Sequence, residues 1–177
     1  MKTLEPRSHF APPRDACDCH FHIFGPLDRF PYQSNRSFTP PEALVADYQR
    51  LQARLGLERC VVVQPSVYGM DNRCSEEAVR ALGSGARGIA VLPGDVSESE
   101  VARLDAIGFK GVRINVLYKG GTPIEALEAM AARLKAGGLP AQDVQIIVPP
   151  GGPKKGNLVA RYRGTGAKKP VMLLGHL

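Results

Sequence analysis

Ala16-Cys17-Asp18-Cys19-His20-Phe21-His22-Ile23-Phe24-Gly25 decides how the rest of the chain is read. Alternation along it predicts a β-strand over 16–24. Cys17, Cys19, Phe21 and Ile23 fall on one face and suit a covering layer of helices. Asp18, His20 and His22 fall on the other. Same-face neighbours on a strand lie roughly 6.5–7 Å apart. Two imidazoles at that spacing can converge on one metal ion or one substrate. Gly25-Pro26 then closes the strand with a turn signal.

Outward from this strand the pattern becomes periodic. Residues 25–40 form a polar, proline-bearing loop of the kind that carries function at the mouth of a βα fold. Thr39, followed by Pro40 and Pro41, is the expected helix cap, and Leu44, Val45, Tyr48, Leu51 and Leu55 recur at helical spacing until Gly56. Arg59–Ser66 is apolar on both faces, as a buried parallel strand requires. A helix about 75–83, a strand 88–93, a helix capped by Ser97 and closed by Gly108, a strand 111–118 and a helix about 123–136 follow. Strands alternating with helices predict a parallel sheet with right-handed crossovers. A closed (β/α)8 barrel takes about 250 residues. The expected fold class is therefore α/β with four βα units, and the resemblance of the first strand to a known barrel family implies half of a (β/α)8 barrel.

After residue 135 the pattern changes. Residues 143–149, 157–163 and 170–177 read as strands, with a hairpin-like linker at 151–156. They are expected to extend the half-barrel into an open, mostly parallel mixed sheet. Segments 1–135 and 136–177 would pack as one domain.

Composition narrows the function. Apolar residues make up 44% and charged residues 23% of the 177, ordinary for a soluble globular chain. No run approaches the roughly 18 apolar residues of a membrane span. The first fifteen residues lack the apolar core of a secretory leader, so a reducing cytoplasm is the expected setting. The four cysteines lack zinc-ribbon spacing, and Cys17 and Cys19 read as small core residues. The whole net charge of +6 sits in residues 135–177, which hold seven basic side chains and one acid. Without an interleaved aromatic platform beyond Tyr162, these read as solvated turn lysines and arginines rather than a nucleic-acid patch.

The wording Cys-Asp-Cys-His-Phe-His-Ile-Phe-Gly-Pro at 17–26 resembles the amidohydrolase-related branch that contains the 2-pyrone-4,6-dicarboxylate lactonases. Gln64-Pro65-Ser66-Val67-Tyr68-Gly69 and Gly111-Val112-Arg113-Ile114-Asn115 are similar to the same branch, so the resemblance covers about residues 14–134. It implies hydrolysis of an ester, lactone or amide carbonyl on a small anionic molecule. His20, His22 and Arg113 are the implied catalytic residues. Ser66, Tyr68, Asn72 and Asn115 are the implied substrate contacts. A divalent metal such as zinc would take His20, His22 and Asp18, although members of the branch also work without metal. Asp18 is expected to fix a histidine tautomer. Arg113 reads equally as a rim ion pair, and Tyr68 reads as loop packing ahead of chemistry. Gly156–Gly166 and Lys169–Leu177 resemble the dinuclear zinc peptidases of the aminoacylase and carboxypeptidase type, in which His176 would be a zinc ligand. The chain thus reads as a chimera joined near 130–140. The other class of function is a catalytically inactive α/β scaffold or binding module, with its sheet edges paired in a homodimer.

Overall fold

A computed structural model describes residues 11–114, 125–148, 150–151 and 157–160. The chain divides after Arg113 into two compact units.

The first unit is a four-stranded parallel sheet with helices in the crossovers. Its strands are β1 (Cys17–Phe21), β2 (Arg59–Val63), β3 (Ala86–Ala90) and β4 (Phe109–Val112), ordered β1-β2-β3-β4. Its helices are α1 (Val45–Leu55), α2 (Arg73–Leu82) and α3 (Glu98–Ile107). The α/β class and the partial-barrel topology agree with the sequence pattern.

Local signals set most boundaries. Gly56 ends α1 at φ 70°, donating its N–H to Ala53 and Gln52 carbonyls. Ser97 caps α3, its hydroxyl accepting from Glu100 N–H. Thr39 does not cap α1. The helix starts at Val45, and Asp47 accepts the Leu44 N–H at 2.8 Å. Two successive prolines hold residues 39 and 40 out of the helical region, so the turn can only form later. Thr39 instead accepts a bond from Arg36 Nε.

The core lies between the sheet and α2. Cys60, Val62, Ala86, Ala90 and Phe109 from the strands pack with Cys74, Ala78 and Val79 from α2 and Leu104 from α3. Small residues bring the helix close: Ser75 and Ala78 are fully buried. Gly88 does the same within the sheet, because a Cβ there would meet the Phe109 ring at 2.6 Å.

Glu76 ties α2 to α3. Its buried carboxylate receives Arg103 through two parallel bonds of 2.9 and 2.7 Å, and Arg80 at 3.4 Å. Arg103 holds the Glu76 carboxyl below the usual glutamate range. A folded pKa below the unfolded one adds stability above the unfolded pKa, and that stability is lost as pH falls through the folded value. Glu76→Gln is expected to cost about 1–3 kcal/mol at neutral pH and to flatten the acid limb of the stability curve. Urea melts at pH 7 and pH 3.5 measure both effects.

The second unit contains α4 (Glu125–Ala136), β5 (Val144–Ile147) and β6 (Asn157–Ala160). Helix α4 packs on both strands, with Leu127, Ala131 and Val144 buried. The expected joining of the tail strands to the main sheet is corrected here. β5 and β6 pair antiparallel with each other, Val144 opposite Ala160, in a separate two-stranded sheet. Strands joined by a short linker meet at small closure cost, so the hairpin partner wins. The expected strand 170–177 lies outside the described residues. Among the described residues, no helix is long and apolar enough to cross a membrane.

Candidate functional site

Parallel pairing brings the carboxyl ends of the four strands to one edge, and the candidate residues emerge there. His22 follows the last residue of β1 and reaches across to the end of β2. Its Nδ1 lies 2.7 Å from the Val63 carbonyl oxygen. A carbonyl only accepts, so Nδ1 carries the proton and the neutral ring keeps its lone pair on Nε2. Burial holds the His22 pKa below the ordinary histidine value. Arg113 and His20 push in the same direction, while the Val63 bond opposes them. His20 is exposed, and its ring meets that of His22 edge-on with centres 5.0 Å apart.

Arg113 follows β4 directly. Its N–H bonds the Ala90 carbonyl at 2.6 Å, continuing the ladder past the strand. Its guanidinium crosses to the end of β2, where Nη1 donates to the Gln64 carbonyl at 3.0 Å. The structure therefore gathers His20, His22 and Arg113 at one edge of the sheet.

Lowered histidine pKa makes folding itself sensitive to pH. The unfolded chain binds the His22 proton first as pH falls, so stability is full above about 6.5 and declines as pH drops toward the folded value. Thermal melts between pH 7.5 and 5 should show this decline, and His22→Gln should remove its share. An NMR titration should find the His22 midpoint below that of an unfolded control.

Asp18 does not share the histidine face as the alternation led us to expect. Between Asp18, paired with Cys60, and Phe21, paired with Val62, β1 advances three residues while β2 advances two. This β-bulge inserts one residue and reverses the parity of the strand. Asp18 and Phe21 consequently turn to the same side, toward α1. Tyr48 Oη donates to Asp18 Oδ2 at 3.3 Å, and the Phe21 ring stacks on Tyr48 with centres 3.5 Å apart. Burial and the Asp18 carboxylate both push the Tyr48 hydroxyl pKa upward. Asp18 Oδ1 accepts the backbone N–H of His20 at 3.1 Å. The same parity change removes the cysteines from the core: Cys19 is exposed and Cys17 half-buried.

The loop between β2 and α2 divides the expected substrate contacts. Tyr68 is 2% exposed and its hydroxyl accepts the Gly25 N–H at 2.7 Å. Asn72 is also buried: its amide donates to Met70 and Val91 carbonyls, and its Oδ1 accepts the Val91 N–H. Both hold the loop in place. Ser66 opens a short 3-10 turn, Ser66–Tyr68, and is half-buried. Asn115 and His176 lie outside the described residues. Sequence reasoning passed over Gln64, which is fully buried with its side chain bonded to Gly69, Asp71 and Ser75. An amide directly after three valines was the available signal.

Among the described residues, no three His, Cys, Asp or Glu side chains come together as a metal-holding group. Two imidazoles are in reach of a common point, but Arg113 places a positive charge close enough to His22 to depress its pKa. That donor set suits an anion better than a cation.

Comparison with known proteins supplies the wider setting. Residues 17–155 match a family model described as Amidohydrolase. The match continues past the composition change near 135. The chain is 36% identical over 130 residues to 2-pyrone-4,6-dicarboxylate hydrolase from Comamonas testosteroni, covering 72% of this chain and 43% of that protein. It is 40% identical over 104 residues to 4-sulfomuconolactone hydrolase from Rhizobium radiobacter, covering 59% and 35%. An apo crystal structure of an Agrobacterium tumefaciens protein superposes with a TM-score of 0.63 at 30% identity, covering 72% of this chain and 45% of that one. The chain spans less than half the length of these relatives. With the family model matched over most of its length, this chain belongs to the amidohydrolase family.

Proposed function

We propose that the chain binds the anionic end of a small ester or lactone through Arg113 and presents His22 to its carbonyl, the part of a lactone-hydrolase reaction that this sheet edge can perform. The observation that carries this reading is the Val63–His22 hydrogen bond. It turns the ring so that Nε2 is a fixed acceptor on the edge that also carries the Arg113 guanidinium. A neutral imidazole with a free lone pair can take a proton from a water that attacks a carbonyl. A guanidinium pairs with a carboxylate through two parallel bonds, which fixes orientation as well as supplying charge. His20, exposed beside His22, lies where it can hydrogen-bond a second polar group of the ligand.

The named activities of the relatives support the substrate class. Two are lactone or pyrone-dicarboxylate hydrolases, and a 29% identical protein from Agrobacterium fabrum is a D-galactarolactone isomerase. Catalytic zinc normally takes three protein ligands and a water. The described residues offer two imidazoles beside a guanidinium, which does not fit.

Binding without turnover is the second reading, favoured by the coverage of less than half of each relative. Calorimetry with a small dicarboxylate and a hydrolysis assay on a panel of carboxylate-bearing lactones separate the two. Binding with hydrolysis that disappears in His22→Ala supports the first. Binding alone supports the second. Neither binding nor hydrolysis overturns both.

A further inference from the structure

At the end of β2 one residue governs two site side chains. The Val63 carbonyl accepts from His22 Nδ1 at 2.7 Å, and the next carbonyl, that of Gln64, accepts from Arg113 Nη1 at 3.0 Å. The Gln64 N–H between them donates to the Ile89 carbonyl at 2.9 Å, tying this point to β3. Any rotation about the Gln64 backbone would therefore displace both bonds together.

The side chain of Gln64 resists that rotation. It is fully buried, and its amide nitrogen donates to the Gly69 carbonyl at 3.2 Å and the Asp71 carbonyl at 2.9 Å. Its Oε1 accepts the Ser75 hydroxyl at 2.6 Å. Both amide donors are thus engaged, and moving the side chain would strand buried carbonyls on the loop. The loop also reaches back to the histidine strand. Tyr68 Oη accepts the Gly25 N–H at 2.7 Å, and the Val67 carbonyl accepts the Gln33 N–H at 2.8 Å. Both sides of His22 are set by one bonded cluster.

We propose that Gln64 is the positioning residue of this site, its buried amide holding the end of β2 so that the Val63 and Gln64 carbonyls aim His22 Nε2 and the Arg113 guanidinium at one ligand. The ligand belongs to the functional reading above, on which this purpose rests; the bonding geometry does not depend on it. Glutamine is the residue the position requires. Glutamate would set oxygens against the Gly69 and Asp71 carbonyls, and leucine would fill the volume without bonding either.

Ring nitrogen NMR of His22 provides the test. Free imidazole side chains in water prefer the proton on Nε2, so a pure Nδ1–H state is the signature of the Val63 bond. The wild type is expected to show that state. Gln64→Leu should give a mixture of tautomers and weaken dicarboxylate binding by about tenfold or more, as small misplacements of positioned groups do. Ser75→Ala removes a single anchor and should move both readouts part of the way. Glu76→Gln, which loosens α2 from the opposite side, should leave the tautomer unchanged. If Gln64→Leu does not fold, Ser75→Ala decides. An unchanged tautomer in the folded Gln64 and Ser75 variants overturns the assignment, as does an equal change in Glu76→Gln. A tautomer that follows Gln64 in a protein that binds no dicarboxylate would sink the binding reading and leave the positioning role standing.

Discussion

Arg113→Ala is expected to weaken binding of a small dicarboxylate by about ten- to a hundredfold, the equivalent of about 1.5–3 kcal/mol for a hydrogen bond to a charged group. The guanidinium is a cation that the end of β4 delivers to the His22 edge, and it arrives pre-aimed by its bond to the Gln64 carbonyl. The fold should survive, because the backbone N–H of residue 113 still bonds the Ala90 carbonyl in the variant. Arg113→Lys should recover only part of the loss. A lysine brings the charge but not the planar pair of donors. Calorimetry on the three proteins measures the effect. Equal affinity in all of them would mean that anions are recognised elsewhere. A further consequence concerns His22: with the nearby positive charge removed, its titration midpoint should rise toward the ordinary histidine value.

Tyr68→Ala is expected to cost about 3–5 kcal/mol of stability, the usual range for truncating a buried aromatic residue. The ring is 2% exposed and lies 5.3 Å from the Tyr32 ring centre. That loss is a large fraction of the roughly 5–15 kcal/mol that holds a whole domain. Tyr68→Phe keeps the packing and removes only the acceptor for Gly25 N–H. It should cost about 1–3 kcal/mol, the penalty for an amide left buried without its partner. Denaturant melts of the two variants separate packing from hydrogen bonding. A Tyr68→Ala protein as stable as the wild type would show that this loop is not part of the folding core.

Much of the first unit could be read from the chain because its signals are local. Gly56, Gly108 and Ser97 act on the turn beside them, and the apolar run of β2 reports its burial directly. The parity of β1 could not be read this way. Cys-Asp-Cys-His-Phe-His alternates equally well with or without an inserted residue, and only the pairing with β2 reveals the bulge. The site residues divided on the same principle. His20, His22 and Arg113 were legible because strand ends collect on one edge in any parallel sheet. Tyr68 and Asn72 were not legible in this way, since a polar side chain in a loop looks the same whether it meets ligand or a buried backbone amide. Gln64 was overlooked for the converse reason: set in an apolar run, it looked like the end of a strand. The tail strands were individually recognisable, but their partners were chosen by chain proximity rather than by the open edge of the larger sheet.

The bulge in β1 also bears on how the chain tolerates changes in length. Pairing on either side is anchored by Asp18 with Cys60 and by Phe21 with Val62. Deleting Cys19 would leave a regular ladder between these anchors, with Asp18 and Phe21 still turned toward Tyr48 and both histidines still turned away. The strand can shed one residue without reversing either face, whereas deleting Phe21 itself would bring His22 into its place opposite Val62, turned toward Tyr48 and off the Val63 carbonyl. The tolerance of this strand to length changes is therefore uneven, generous within the bulge and strict at the aromatic anchor.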